Sequence, residues 1–504
     1  MDSSLPNERQ IQAKLSLARS NTVKDEPGDH GLTFKDLTDR FFAMPMSKQD
    51  AKFIGMFLCL YRKFSTPRQL LLEFVQRFED VDKHGIPDLQ KLAIRLRYLN
   101  ILQRWISEYT CDFAQAIIHQ QMVDFVATLG VEPQFAVANL ELSSYLEFVG
   151  NDDDDNTESS YSDQGRSRAS TLESFLSTSS THSATSTVTA ESSAEDSIDP
   201  VSLSKSHSGP STRHSATPSM DSVSEPISGQ STGSMHPIPG TVDDARHQAQ
   251  FLRPFPRYSF DKVRWHQLMS ISEDNIALEL TRIDWILYSS IRPRDLIRHV
   301  SLGSEAKGRC KSLRYVNDMI NHFNHVAFWV ANMTLIRDKP KHRASMMEKF
   351  LAVAWKLRYL NNYNSLGAVI AGINGTAVHR LSQTRGLVST EMRKQFMRLE
   401  ILMGTAKSHS AYRLAWQNTT GPRIPFLPLH RRDLVSSEAG NKTFISTSEG
   451  ERINWKKFEL MGDVIAGIKE SQSLPYPTMK KNEDISRLIL GGRFAMDEDV
   501  RLRQ

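Results

Sequence analysis

Apolar residues along this chain recur at helical spacing in two long blocks, separated by a stretch in which they nearly vanish. In the first block, residues 32–150, Phe53, Phe57, Leu60 and Phe64 follow one another at steps of four, three and four. That is the stripe of an amphipathic helix. Ser65-Thr66-Pro67 then predicts a stop and a restart, because a hydroxyl can cap a new helix and proline is tolerated in a first turn. Leu71, Phe74, Val75 and Phe78 form the next apolar set, and Leu92, Leu96, Leu99, Leu102 and Ile106 another. No run of alternating residues is flanked by turn signals, so few or no strands are expected here. In the second block Leu313, Val316, Ile320 and Phe323 repeat at three, four and three, as do Phe350, Val353, Leu357 and Leu360. A block of about 250 residues can bury a large core by itself. The pattern predicts an all-α chain.

Between the blocks, 36 of the 90 residues from Asn151 to Gly240 are Ser or Thr, after an acidic run at Asp152–Asp155. So little apolar surface cannot offset the entropy of ordering a backbone, which predicts a disordered linker over 151–250 and a mobile polar tail over 1–31. The plain reading of the linker is a tether. The sharper one is a phosphorylation platform, with Ser167, Ser170 and Ser215 as candidates because basic residues precede each of them. Each phosphate would add nearly two negative charges.

The chain has 504 residues, and 62 Lys and Arg stand against 58 Asp and Glu, for a formal charge of +4. That balance argues against a dedicated nucleic-acid binder, which concentrates basic charge. Cys59, Cys111 and Cys310 lie far apart in apolar contexts, which suits a reducing cytosol better than a disulfide framework or a zinc site. The opening MDSSLPNERQ lacks the apolar core of a secretory signal. The longest apolar stretch, near Phe53–Tyr61, is about half of what a bilayer crossing needs. No phosphate loop, zinc-protease motif, Cys pair or nucleophile elbow occurs. His322 and His325 share a helix face, but no third ligand completes a metal set nearby. A helical chain without nucleophile, metal set or cofactor loop is expected to act by binding.

Several segments go beyond periodicity. Phe53–Asp80 (FIGMFLCLYRKFSTPRQLLLEFVQRFED) and Leu96–Trp105 (LRYLNILQRW) resemble the helical module that precedes Ras-family exchange domains. Ala277–Ile297 (ALELTRIDWILYSSIRPRDLI) is similar to the opening region of the Cdc25-homology exchange domain. Leu360–Arg380 (LNNYNSLGAVIAGINGTAVHR) resembles its most recognisable motif. Ile424–Asn441 (IPFLPLHRRDLVSSEAGN), followed by Ile453-Asn454-Trp455, is similar to its helical hairpin region. These segments occur in the family's order across both blocks. The resemblance implies an N-terminal exchanger module at 32–150 and a Cdc25-homology domain with a protruding helical hairpin at 251–504. It further implies a guanine-nucleotide exchange factor for a Ras-type small GTPase of the Ras or Rap class, with IPFLPL and INWKKF slightly closer to the Rap type. In the family the hairpin levers a switch of the GTPase away from the nucleotide. Differential affinity for the nucleotide-free GTPase then weakens GDP, so neither covalent chemistry nor a cofactor is required. The implied setting is cytoplasmic, with peripheral recruitment to membranes through the GTPase or other partners and no membrane insertion.

By the same resemblance Asn361 and Asn362, whose amides both donate and accept hydrogen bonds, are expected to serve the GTPase interface. From the residues alone they read as a turn after a helix. Phe426 falls at the family's aromatic position below the hairpin, where core packing and hairpin support are compatible roles. On the hairpin, Val435 and Ala439 match the positions where well-studied members place an apolar residue and a carboxylate. The nearby carboxylate, Glu438, comes one residue early, about 100° around a helix. Either a small register shift restores it or this protein works without that charge. Ala439 therefore keeps an alternative open: a pseudo-exchange factor that binds a GTPase as a scaffold without releasing nucleotide. Asn321, Phe323 and Asn324 stand where some relatives carry an arginine and threonines, so a second, regulatory GTPase site is not expected.

Overall fold

The computed structural model describes residues 31–43, 48–83, 87–147, 149, 239–448, 450–477 and 479–494. The linker candidates Ser167, Ser170 and Ser215 lie outside the described residues. The N-terminal block consists of helices Phe34–Phe42, Lys48–Leu60, Pro67–Asp80, Asp88–Glu108, Ala116–Leu129 and Ala136–Glu147 with short 3-10 turns between them. The break foreseen at Ser65–Pro67 is real. Thr66 caps the new helix by accepting from the Gln69 amide at 3.2 Å, and Pro67 occupies the first turn. Phe41, Phe57, Phe74, Trp105 and Phe113 fill this block's core. In the Asp88–Glu108 helix the buried residues all come from Leu99 onward. Leu96 is 45% exposed, while Leu92 and Tyr98 of the same half of the helix are partly buried against the core.

The second block is also helical. It begins before residue 251: helix Pro239–Ala249 packs on helix Glu273–Ser289, with Ala245 and Ala249 buried. Helices Leu313–Leu335, Pro340–Tyr359 and Tyr363–Asn374 form the centre. The last of these lies so close to Leu313–Leu335 that a Cβ on Gly372 would sit 2.5 Å from the Ala327 carbonyl oxygen. Among the described residues two short strand pairs interrupt the helices. Tyr258–Ser259 runs parallel to Gly492–Arg493, and Phe444–Thr447 runs antiparallel to Gly450–Ile453. The second pair is a ribbon joining helix Leu427–Gly440 to helix Trp455–Gln472, and together they form the helical hairpin.

Both blocks belong to one unit, and the N-terminal block packs on the hairpin. Phe53 and Phe64 meet Trp455 at centroid distances of 4.9 and 6.4 Å, and Phe64 meets Phe458 at 5.0 Å. Gly462 lets helix Lys48–Leu60 approach, since a Cβ there would collide with the Met56 sulfur. Leu32 pairs with Ile453 of the ribbon through backbone bonds of 2.9 and 2.7 Å. Lys63 Nζ reaches Glu438 at 2.6 Å and Lys469 Nζ reaches Glu108 at 2.7 Å. Burial of each such aromatic ring contributes roughly 1.5–3 kcal/mol.

Candidate functional site

Helix Pro340–Tyr359 ends in a tight turn at Asn361, where φ is +54°, a left-handed conformation that asparagine tolerates better than most residues. The Asn361 carbonyl accepts from the Ile424 amide at 3.1 Å, and its side-chain oxygen accepts from Arg358 at 2.9 Å. Asn362 follows with no exposed surface. Its Oδ1 caps helix Tyr363–Asn374 by accepting from the Ser365 amide at 3.0 Å, and its Nδ2 donates to Thr281 at 3.3 Å. The next amide, of Tyr363, donates to the Ile424 carbonyl at 3.1 Å. Asn361 and Asn362 thus fasten the chain that leads into Phe426. Asn362 does so from behind the surface, because a fully buried amide must spend its donors and acceptors inside.

Behind this turn sits Asp284, fully buried on helix Glu273–Ser289. It accepts from Asn364 Nδ2 at 3.1 Å and from the Ser365 hydroxyl at 2.5 Å. Burial raises its pKa from 3.8 to about 6, against the lowering effect of Ser365, Asn362 and Asn364. His322 Nε2 lies 3.6 Å from its carboxylate, and burial lowers the ring's pKa to about 4. His325, on the same helix, meets the Ile489 carbonyl at 2.7 Å. Among the described residues no group of three side chains is placed to hold a metal ion.

Phe426 is half-buried and starts helix Leu427–Gly440. Its amide donates to the Tyr412 hydroxyl at 2.9 Å, and that hydroxyl meets His430 Nε2 at 2.8 Å. The ring lies between Phe323 and Tyr412, at centroid distances of 6.0 and 6.1 Å. A Cβ on Gly367 would come within 2.9 Å of it. Phe323, one of the residues whose identity argued against a second GTPase site, is a packing partner of Phe426.

On the hairpin helix the sequence candidates separate. Val435 is 40% exposed and Ala439 is exposed beside it, one turn further. Glu438 turns to the other face, where its carboxylate lies 2.6 Å from Lys63 Nζ and 3.5 Å from Lys457 Nζ. The outward face of helix Leu427–Gly440, where Arg432, Val435, Ser436 and Ala439 are exposed, bears no carboxylate. Midway along this helix Asp433 meets Arg413 at 2.7 Å. Arg413 belongs to the Ala406–Asn418 element, whose opening residues Lys407, Ser408 and His409 are all left-handed. Each such residue costs roughly 1–2 kcal/mol.

Sequence reading missed Asp284, Lys63 and the Lys407–Arg413 segment. A lone aspartate among the apolar helical positions Ile283 and Leu287 was a legible hint of a buried partner. Nothing in the sequence pattern marks the left-handed turn.

Residues 275–459 match the RasGEF domain, and residues 30–125 match the RasGEF N-terminal motif. Over 481 residues the chain is 25% identical to Ras guanine nucleotide exchange factor A of Dictyostelium discoideum, covering 94% of this chain and 64% of that protein. Over 235 residues it is 28% identical to human Rap guanine nucleotide exchange factor 5, covering 47% of this chain and 39% of that protein. Ras guanine nucleotide exchange factor P of D. discoideum is 32% identical over 212 residues, 42% of this chain and 14% of its own length. The chain thus spans less than two thirds of the length of each of these relatives. With the N-terminal motif and the exchange domain in this order, on the helical fold described above, the chain belongs to the RasGEF family.

Proposed function

We propose that this protein promotes GDP release from a Ras-type small GTPase, of the Ras or Rap class, by inserting its hairpin beside the nucleotide. The carrying observation is the hairpin itself. One face is fixed to the N-terminal block through Lys63 and Glu438, its base rests on Phe426, and Val435 and Ala439 are left outward. A rigid lever with a small, partly apolar outer face can stabilise the nucleotide-free GTPase over the GDP-bound form, and that difference in affinity is the whole catalytic effect. No bond is broken in this scheme. Asn361 and Asn362 serve the interface by fixing the Ile424–Phe426 segment. Among the described residues no helix is long and apolar enough to cross a membrane, and recruitment to a membrane-bound GTPase would run through the GTPase or other partners.

Release of a fluorescent GDP analogue from Ras- and Rap-class proteins, with the full chain at micromolar concentration, tests this reading. Acceleration on one class that Phe426→Ala abolishes in a folded protein supports it. The absence of both acceleration and complex formation across both classes rejects it. The second reading, a GTPase-binding scaffold, draws on the inward turn of Glu438 and the missing carboxylate at Ala439. It predicts a stable complex without release, and release gained in Ala439→Glu.

A further inference from the structure

Lys407, Ser408 and His409 have φ of 48°, 55° and 61°. Cβ crowding disfavours every non-glycine residue there, so a run of three persists only if its surroundings hold it. The holding contacts lead to the hairpin. Arg413 Nε donates to the Ser408 carbonyl at 2.9 Å, while its Nη2 donates to Asp433 at 2.8 Å. The His409 ring meets the Met403 carbonyl through Nδ1 at 3.2 Å and packs 6.2 Å from the Phe426 ring. Tyr412, next to Arg413, takes the Phe426 amide. Turn and hairpin helix therefore share one guanidinium, and the aromatic base is held beside it through Tyr412 and His409.

We propose that Arg413 is a positioning residue for nucleotide exchange, locking the left-handed turn to Asp433 and so fixing the angle at which the hairpin helix leaves Phe426. The proposal rests on the exchange reading above. The planar fork of arginine fixes the distance between a carbonyl and a carboxylate in one plane, whereas the single ammonium of lysine can serve one of them at a time. The pair is too exposed, at 36% and 22% of the two side chains, for its contribution to be chiefly stability. What it supplies is geometry, two residues before Val435 on the hairpin's working face.

The test uses the full chain as wild type, Arg413→Lys, Asp433→Asn and the double variant. Deuterium uptake by peptides from residues 427–440 is read beside release of the fluorescent GDP analogue. Each single change is expected to speed uptake in the hairpin about threefold or more, and to slow release about tenfold with little change in the GTPase concentration for half-maximal rate. The double variant should add little to either single one, as for two partners of one interaction. Uptake from residues 313–335 should stay at the wild-type level. Unchanged hairpin uptake in both single variants overturns the proposal whatever the release assay shows. A loosened hairpin with wild-type release overturns the link to exchange. A loosened hairpin in a protein whose wild type releases no GDP on any GTPase supports the lock and rejects the exchange reading instead.

Discussion

Asn362 satisfies a helix cap, a buried threonine and the neighbourhood of a buried carboxylate with one amide. Asn362→Ala removes the cap and strands the Ser365 amide, a loss of about 1–2 kcal/mol that urea unfolding should register, with exchange slowed because Ile424 and Phe426 lose their seat. The near-isosteric Asn362→Asp should be worse than alanine. It keeps the cap acceptor but sets a second buried negative charge beside Asp284. An Asp variant as stable as wild type would refute this account of the cluster. His430 gives a residue-scale pH prediction. Burial, reinforced by Arg413, lowers its pKa from 6.5 to about 3, so the unfolded chain takes up the proton first as the solution is acidified. The stability it contributes is complete above pH ~6.5 and drains away as pH falls toward 3, by roughly 2 kcal/mol at pH 5. Asp284 acts in the opposite sense, since its folded pKa of about 6 exceeds the ordinary value of 3.8, and its share grows as pH falls through that window. Total stability against pH therefore mixes the two. The difference between wild type and His430→Gln isolates the histidine, and this variant should lose less stability between pH 7 and pH 5.

At the scale of elements, the hairpin helix shows why some of the site was readable from sequence and some was not. The apolar stripes, the Thr66-Pro67 restart and the ordered motifs are local signals, and the helices formed where they pointed. The direction of Glu438 was not local, because it depends on which helix face Lys63 of a distant block covers. The burial of Asn362 likewise depends on Thr281 and Asp284 of another helix, and the four-residue strands of the ribbon are too short for an alternating pattern to stand out. Leu96 fits the helical stripe, yet it is 45% exposed. The Lys63–Glu438–Lys457 cluster offers a direct test of how the hairpin's inner face is held. Its two ammonium groups are 8% and 3% exposed at the side chain, against 19% for the carboxylate. Glu438→Gln removes the carboxylate that two buried ammonium groups share and should cost about 3 kcal/mol or more. Lys63→Met leaves the carboxylate with Lys457 and should cost much less. Equal losses in the two variants, measured by urea unfolding, would mean that Glu438 does not depend on this pairing.

At the scale of the molecule, the question is whether the N-terminal block is a separate domain or belongs to the exchange domain's own fold. Independent domains in one chain meet through modest, mostly polar surfaces. Here the contact is aromatic at its centre, where Phe53, Phe64, Trp455 and Phe458 interlock. A glycine at 462 brings two helices together, and a backbone pair joins Leu32 to Ile453. Separating the blocks would expose these rings and break the Lys63–Glu438 and Lys469–Glu108 ion pairs, a loss comparable with the stability of a whole domain. The two blocks should therefore melt together, in a single calorimetric transition whose van't Hoff and calorimetric enthalpies agree. Phe64→Ala, which removes a ring from this contact at a cost of about 3–4 kcal/mol, should lower that one transition or split it in two. Two well-separated transitions in the wild-type chain would show that the blocks fold independently. In that event the hairpin would have to hold its pose from the exchange domain alone, and the asymmetry expected between Glu438→Gln and Lys63→Met should vanish with it.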